Sequence, residues 1–166
     1  SLYYRYTKAM TGFWVDGYLA ITFRIAEAVG IKPERLLGVW PSGVDPKKFE
    51  AAHESRCWPI DDEPVHLVYI GSIHAERNLL ALCHAVLTAA NRGMKFTLSI
   101  VGSGDQKAEL ESFARTTNGI VTVKPSVSHK DVWKVLADAH LGVLPFPDEL
   151  KFRVSSPIKL FEYMAA

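Results

Sequence analysis

A chain of 166 residues has room for about one domain, with roughly 70% of its extended surface buried on folding. A hydrophobic share of 48% against 22% charged residues excludes a disordered or fibrous chain. The net charge is +1, from 19 basic and 18 acidic residues without long runs of either sign; this excludes a surface that coats nucleic acid and leaves room for a local site binding a small anion.

The start, Leu2-Tyr3-Tyr4-Arg5-Tyr6, lacks the apolar core and cleavage site of a signal peptide and reads as a helix stub, or as a segment against a partner domain or membrane surface. Residues 18–22 read as a strand, 23–29 as a helix and 37–40 as a second strand stopped by Pro41-Ser42-Gly43. The charged stretch 45–64, with its prolines, reads as a linker, so the chain is divided into residues 1–55 and 56–166.

From there strands and helices alternate. Residues 66–70 form a short β-rich run ending in Gly71-Ser72, and helical spacing of Leu79, Leu80, Cys83, Val86 and Leu87 predicts a helix over about 76–91. Strand 96–101 leads into Gly102-Ser103-Gly104 and a helix to about Thr116, with Leu110 and Phe113 inward. Strand 120–123 precedes a helix beginning at Ser128, and the wholly apolar run 141–145 reads as an interior parallel strand. A last helix opens at Ser156-Pro157 and runs to Ala166; with no Met at the start and a helical pattern at the end, both termini read as cuts.

This alternation predicts an α/β fold, a parallel Rossmann-like sheet with helices on both faces. Such sheets bind ligands beyond the carboxyl ends of their strands. Those ends are Gly71-Ser72-Ile73-His74, Gly102-Ser103-Gly104, Lys124-Pro125-Ser126 and Pro145-Phe146-Pro147. Gly102-x-Gly104 continues to Lys107 without a third glycine, so it fails the dinucleotide fingerprint and reads as a tight strand–helix turn. Of the six histidines none has metal-ligand spacing, and His74 alone sits in a candidate turn. Cys57 and Cys83 form neither a CxxC nor a disulfide framework, which favours a reducing, cytoplasmic setting.

The final segment carries the most chemistry. Ser156 suits an N-cap and Pro157 the first helical position, which leaves bare amides for a phosphate. Lys159 then falls at the third helical position, where a cation opposes the helix dipole by about 0.3–1 kcal/mol unless an anion is bound. Glu162, one turn on, is within reach of ribose hydroxyls on the same ligand. An ordinary capped helix with Lys159 and Glu162 paired on its surface is an equal reading of these residues taken by themselves.

Ser156-Pro157-Ile158-Lys159-Leu160-Phe161-Glu162-Tyr163-Met164-Ala165-Ala166 resembles the donor-binding signature SPxKLxEYMAxGxPV of the family 4 (group 1) glycosyltransferases. Trp40-Pro41-Ser42-Gly43-Val44-Asp45 with Phe49 is similar to that family's interdomain PNGVD…F segment. Residues 16–22 resemble the strand before it, Gly71-Ser72…Glu76-Arg77-Asn78 its GR…EKG turn, and Val101-Gly102-Ser103-Gly104 its xGxG turn.

The resemblance implies one half of a GT-B fold. Residues 1–55 would be the end of an N-terminal acceptor domain plus linker, and 56–166 the nucleotide-sugar-binding domain. It implies a nucleoside-diphosphate sugar, UDP- or GDP-linked, as donor, with retention at the anomeric carbon, no cofactor and no obligatory metal. Glu162 matches the ribose-holding Glu, and the segment at Ser156, Pro157 and Ile158 with Lys159 the diphosphate cradle. Arg77 matches the basic residue reaching the phosphates and Gly71 the close-approach glycine, while Lys124, Pro125 and Ser126 fall where the base edge is read. Ser155 stands where the family carries a Glu contacting the transferred sugar, and Ser72 where it carries a basic residue. The acceptor, a glycan or lipid-linked sugar in bacterial polysaccharide or envelope synthesis, would be held by the other domain. This chain alone is therefore expected to bind nucleotide without turnover, and the full enzyme to work in the cytoplasm or at the inner membrane face. A GT-B sugar-nucleotide epimerase and a non-catalytic nucleotide-sugar-binding module, the latter favoured by Ser155 and Ser72, are the alternatives.

Overall fold

A computed structural model describes residues 14–166; the tyrosine-rich start lies outside them. In chain order the elements are β1 (Tyr18–Ala20), α1 (Phe23–Ala28), β2 (Leu36–Val39), α2 (Glu50–Ser55), β3 (Val65–Ser72), α3 (Leu79–Asn91), β4 (Phe96–Ser103), α4 (Lys107–Arg115), β5 (Val121–Lys124), α5 (Val132–Ala137), β6 (Leu141–Gly142), α6 (Leu150–Arg153) and α7 (Ile158–Ala165). The chain divides into two compact units, one reaching to Ser42 and including Leu150–Ser156, the other formed by Gly43–Glu149 and Pro157–Ala166.

In the first unit β1 and β2 pair in parallel, with α1 following β1. The Thr22 hydroxyl caps α1 by accepting the Ile25 amide at 3.0 Å, the role short polar side chains take at helix starts. The same hydroxyl donates to the Val154 carbonyl at 3.0 Å, which ties in the short helix α6, an element the sequence does not announce.

The second unit is built on a four-stranded parallel sheet in the order β5-β4-β3-β6. β3 and β4 pair along their whole length, from Val65 opposite Phe96 to Ser72 opposite Ser103. Because β-strand side chains alternate, the two strands feed two cores. Tyr69, Leu98 and Ile100 pack with Leu79, Cys83, Val86 and Leu110 of α3 and α4 on one face. Val68, Ile70 and Val101 pack on the other with Phe49, Ala52, Val132 and Leu136. Each fully buried Leu or Ile here contributes about 1.5–3 kcal/mol relative to exposure. The chain runs from β3 outward through β4 to β5 and then returns to the other side of β3, so the strand order reverses between β3 and β6.

Two expectations are corrected by this architecture. The stretch 45–64 is not all linker, because Phe49 and Ala52 are buried and α2 packs against α5. The division at 55/56 therefore falls inside the second unit, and the structural break comes at Ser42. Prolines and charges around Phe49 conceal a single-turn apolar stripe that only the α5 surface makes visible. The run 141–145 is not an interior strand: β6 pairs over only two residues at the sheet edge, with Leu141 46% exposed.

Candidate functional site

The carboxyl ends of β3 and β4 meet through glycine. A Cβ on Gly102 would lie 1.8 Å from the Gly71 carbonyl oxygen, and one on Gly104 2.0 Å from the Ile73 carbonyl. Close strand packing thus accounts for both glycines, in line with the tight-turn reading of Gly102-x-Gly104. Gly71 itself adopts φ +151°, a conformation open mainly to glycine. Beyond these ends opens a cavity of about 340 Å³, lined among others by Gly71, Ser72, His74, Gly102, Ser103 and Ser126. It is the crevice that a parallel sheet leaves at its carboxyl edge.

His74 and Asp105, in the turns after β3 and β4, lie 2.9 Å apart, Nδ1 to Oδ1. The hydrogen bond from His74 holds the Asp105 carboxyl below its ordinary value. Sequence reasoning singled out His74 but not its partner, which stands 31 residues away and joins it only once β3 and β4 are in register.

Helix α7 supplies the other half of the arrangement. It begins at Ile158 with Pro157 as N-cap in an extended conformation and no side-chain cap, so Ser156 is not the cap and Lys159 sits at the second helical position. Proline restricts the residue before it to extended geometry, which puts Ser156 outside the helix. The first hydrogen bond runs from the Leu160 amide to the Pro157 carbonyl at 3.0 Å, leaving the Ile158 and Lys159 amides without intrahelical partners. The Lys159 side chain crosses over Gly71: a Cβ there would meet its Cε at 2.0 Å and its Nζ at 2.7 Å. The absence of a side chain at Gly71 is what admits the lysine.

Glu162 is the one residue of α7 that is fully buried, at 5% exposure, while Ile158, Leu160 and Met164 of the same helix are exposed. A carboxylate inside and aliphatic side chains outside inverts the usual preference, because a buried charge is costly unless paired. Its Oε1 lies 3.3 Å from His129 Nε2, in the 3-10 turn after β5. Beside it, the Tyr163 hydroxyl accepts the Ile70 amide at 3.0 Å, and burial pushes the phenol pKa up.

The remaining predicted residues are distributed as follows. Arg77 stands with its guanidinium 5.3 Å from the Phe146 ring centre and 3.6 Å from Glu76, outside the cavity lining. The Ser72 carbonyl accepts the buried Tyr69 hydroxyl at 2.9 Å. Lys124 and Pro125 line a second cavity of about 310 Å³, with His66, Ser99, Lys134 and Asp138, whereas Ser126 lines the first. Ser155 and Ser156 belong to the segment Leu150–Ser156 of the first unit, where Ser155 Oγ donates to the Phe152 carbonyl at 2.9 Å. The structure therefore brings Gly71, Ser72, Ser126 and Lys159 to the carboxyl end of the sheet and sets Glu162 against His129. His129, Asp105 and Tyr163 were not predicted. The first two lie in polar turns without a distinguishing pattern, and Tyr163 is masked by the motif around it.

Known proteins share this fold. The sequence pattern of the family described as "Glycosyl transferases group 1" matches residues 64–166. No curated protein sequence matches the chain. Among solved structures, the lipopolysaccharide outer core galactosyltransferase WaaB in its apo form superposes with a TM-score of 0.59 at 20% identity, covering 81% of this chain and 39% of that one. WaaG, a glycosyltransferase involved in lipopolysaccharide biosynthesis, gives 0.58 at 18% identity over 89% of this chain and 41% of that one. The pneumococcal O-GlcNAc transferase GtfA, solved with UDP and GlcNAc, gives 0.58 at 18% identity over 77% of this chain and 25% of that one. At these identities the likeness is one of fold, and the chain spans well under half the length of each neighbour. The match over residues 64–166, laid on a parallel sheet with a crevice at its carboxyl edge, makes this chain a member of the group 1 glycosyltransferases.

Proposed function

We propose that the second unit holds the nucleoside-diphosphate part of a sugar donor at the carboxyl ends of β3 and β4, and that the full protein transfers the sugar to a glycan or lipid-linked acceptor. The observation that carries this reading is the buried Glu162 one turn beyond Lys159, on a helix whose exposed face is aliphatic. Lys159 and the unpaired amides of Ile158 and Lys159 suit a diphosphate, since charge-assisted hydrogen bonds and the positive helix end both favour an anion. Glu162 suits the ribose, because a carboxylate accepts hydrogen bonds from vicinal hydroxyls. Arg77, in the 3-10 turn after β3, is the further cation this reading assigns to the phosphates.

In the reaction the bond between the anomeric carbon and the diphosphate oxygen breaks while the acceptor oxygen bonds to that carbon and loses its proton. The electron pair leaves on the diphosphate. Stabilising that developing charge is the part assigned to Lys159, the helix amides and Arg77. Retention at the anomeric carbon, a donor linked to UDP or GDP, and an acceptor in bacterial envelope or polysaccharide synthesis complete the proposal; two neighbours named for lipopolysaccharide synthesis and one solved with UDP support it. The acceptor is assigned to sequence outside this chain, so this chain alone should bind without turnover. Ser155, at the position matching a family Glu, favours a second reading, a binding module without transferase activity.

Calorimetric titration of the chain with UDP, GDP, ADP and CMP tests the reading. One nucleoside diphosphate should bind well above the others. If none of the four produces heat or chemical-shift change, the donor-site reading fails.

A further inference from the structure

We infer that His129 is a positioning residue for the donor ribose, acting through Glu162. The inference rests on the proposed nucleotide site. Helix α7 sets Glu162 against the turn after β5, but a carboxylate on a helix turns about its side-chain torsions unless something fixes it. His129 Nε2, 3.3 Å from Glu162 Oε1, is the ion-pair partner of this carboxylate among the described residues. The pairing is asymmetric: the carboxylate side chain is 7% exposed and the histidine side chain 69%. The histidine thus reaches in from the solvent side to an otherwise enclosed acid.

His129 also has a particular place in the chain. It follows Ser126 and Val127, which line the cavity at the ends of β3 and β4, and opens the 3-10 turn His129–Asp131. That turn is itself fixed: the Ser128 hydroxyl donates to the Asp131 carboxylate, and Lys134 Nζ lies 2.8 Å from the same side chain. Together these hydrogen bonds keep the Asp131 carboxyl below its ordinary value, Lys134 being the larger cause. With Oε1 held against this braced turn, Oε2 is the oxygen the proposal assigns to a ribose hydroxyl. Preorganised acceptors of this kind discriminate strongly, because a ligand lacking the hydroxyl leaves a buried polar group without its partner.

The test compares affinities of the whole chain for the nucleoside diphosphate that binds best and for its 2′-deoxy and 3′-deoxy forms, by calorimetry, in the wild type, H129A and H129Q. In the wild type the ribonucleotide should bind more tightly than at least one deoxy form. H129A should shrink that preference by up to about fivefold, the upper range for an ion pair with one exposed partner. H129Q, whose amide nitrogen can reach the same oxygen, should restore most of it. H129A leaves the buried Glu162 carboxylate without this partner and should lower the thermal midpoint, whereas H129Q should recover most of that loss; the ribo-to-deoxy ratio, taken within each variant, reads positioning apart from stability. An unchanged ribo-to-deoxy preference in H129A, with nucleotide still bound, overturns the positioning role alone. Failure of the wild type to bind any nucleotide overturns the donor-site reading and this inference with it.

Discussion

The Tyr163 hydroxyl lies 3.0 Å from the Ile70 amide and takes the ladder position that β6 leaves empty. β6 pairs with β3 only at Leu67 and Val68, and the Val143 amide adds one more bond to the Val68 carbonyl. The next β3 donor on that edge is therefore satisfied by a side chain of α7. Gly142 makes the approach possible, because a Cβ there would stand 2.3 Å from the Tyr163 ring. Helix α7 is thereby locked to the sheet at the strand-order reversal.

Removing the hydroxyl should consequently destabilise the fold without opening the helix. In Y163F the Ile70 amide is left buried and unpaired, at a cost of about 1–3 kcal/mol. G142A should cost a comparable amount, about 1–3 kcal/mol, by forcing the ring aside. Urea unfolding curves give both values, and equal midpoints for Y163F and wild type would refute the ladder role.

The two glycines at the strand ends should respond differently to alanine. At Gly102 the added carbon meets the Gly71 backbone at 1.8 Å, so the β3–β4 pairing itself must move. At Gly71 it meets the far end of Lys159, which can swing away, leaving the φ of +151° as the residual strain, of about 1–3 kcal/mol. G102A should accordingly lose more stability than G71A, while G71A should lose nucleotide affinity out of proportion to its stability. Paired unfolding and titration measurements separate the two effects.

Lys159 should matter to the phosphates rather than to the fold. K159M keeps most of the apolar stem and deletes a charged donor whose hydrogen bonds are worth about 1.5–3 kcal/mol. Affinity for the nucleoside diphosphate should drop by about tenfold or more, that for the free nucleoside should not change, and the unfolding midpoint should hold. A proportional loss for nucleoside and diphosphate would place the lysine elsewhere in recognition.

Acid should weaken the second unit through His66. Its Nδ1 lies 2.6 Å from Thr97 Oγ1. Burial first, then the charges of Lys124 and His140, hold it below its ordinary value, with Asp138 opposing. Between that lowered value and about 6.5 the unfolded chain takes up more protons than the folded one. Stability is therefore complete above about 6.5, declines as the pH falls through this window, and levels off below the folded value. Thermal scans across that range should show the decline, and H66Q should flatten it.

Thiol labelling should count one reactive cysteine in the folded chain. Cys57 is exposed, whereas Cys83 is fully buried and burial pushes its thiol up to about 11. Iodoacetamide at mildly alkaline pH should modify Cys57 alone in buffer and both residues in denaturant, as read by intact mass. Rapid native labelling of Cys83 would mean that the α3 face opens.

Much of this organisation follows from local sequence. Residues 66–70 and 96–101 are β-rich and end in glycine, so strands β3 and β4 and their open ends were predictable from pattern alone. So were α3 and α4, whose apolar spacing is helical. Lys159 and Glu162 could be placed on one helix because their separation is a helical one. The start of that helix was misread by one residue, since serine and proline each suit a cap and only the backbone bonds decide between them. Helix α2 was missed because its two inward residues, Phe49 and Ala52, acquire meaning only against α5.

By itself, then, the sequence determined the alternating strands and helices, the glycines at the strand ends and the helical spacing of Lys159 and Glu162, because each depends on periodicity or on residues close together in the chain. Tertiary structure alone decided that Tyr163 completes the β3 ladder, that Lys159 crosses Gly71 and that His129 meets Glu162. Those pairs are joined across 93, 88 and 33 positions of chain. Sequence patterns report which face a residue turns inward; which partner waits there is fixed by sheet order and register, and these are set by how the whole core packs.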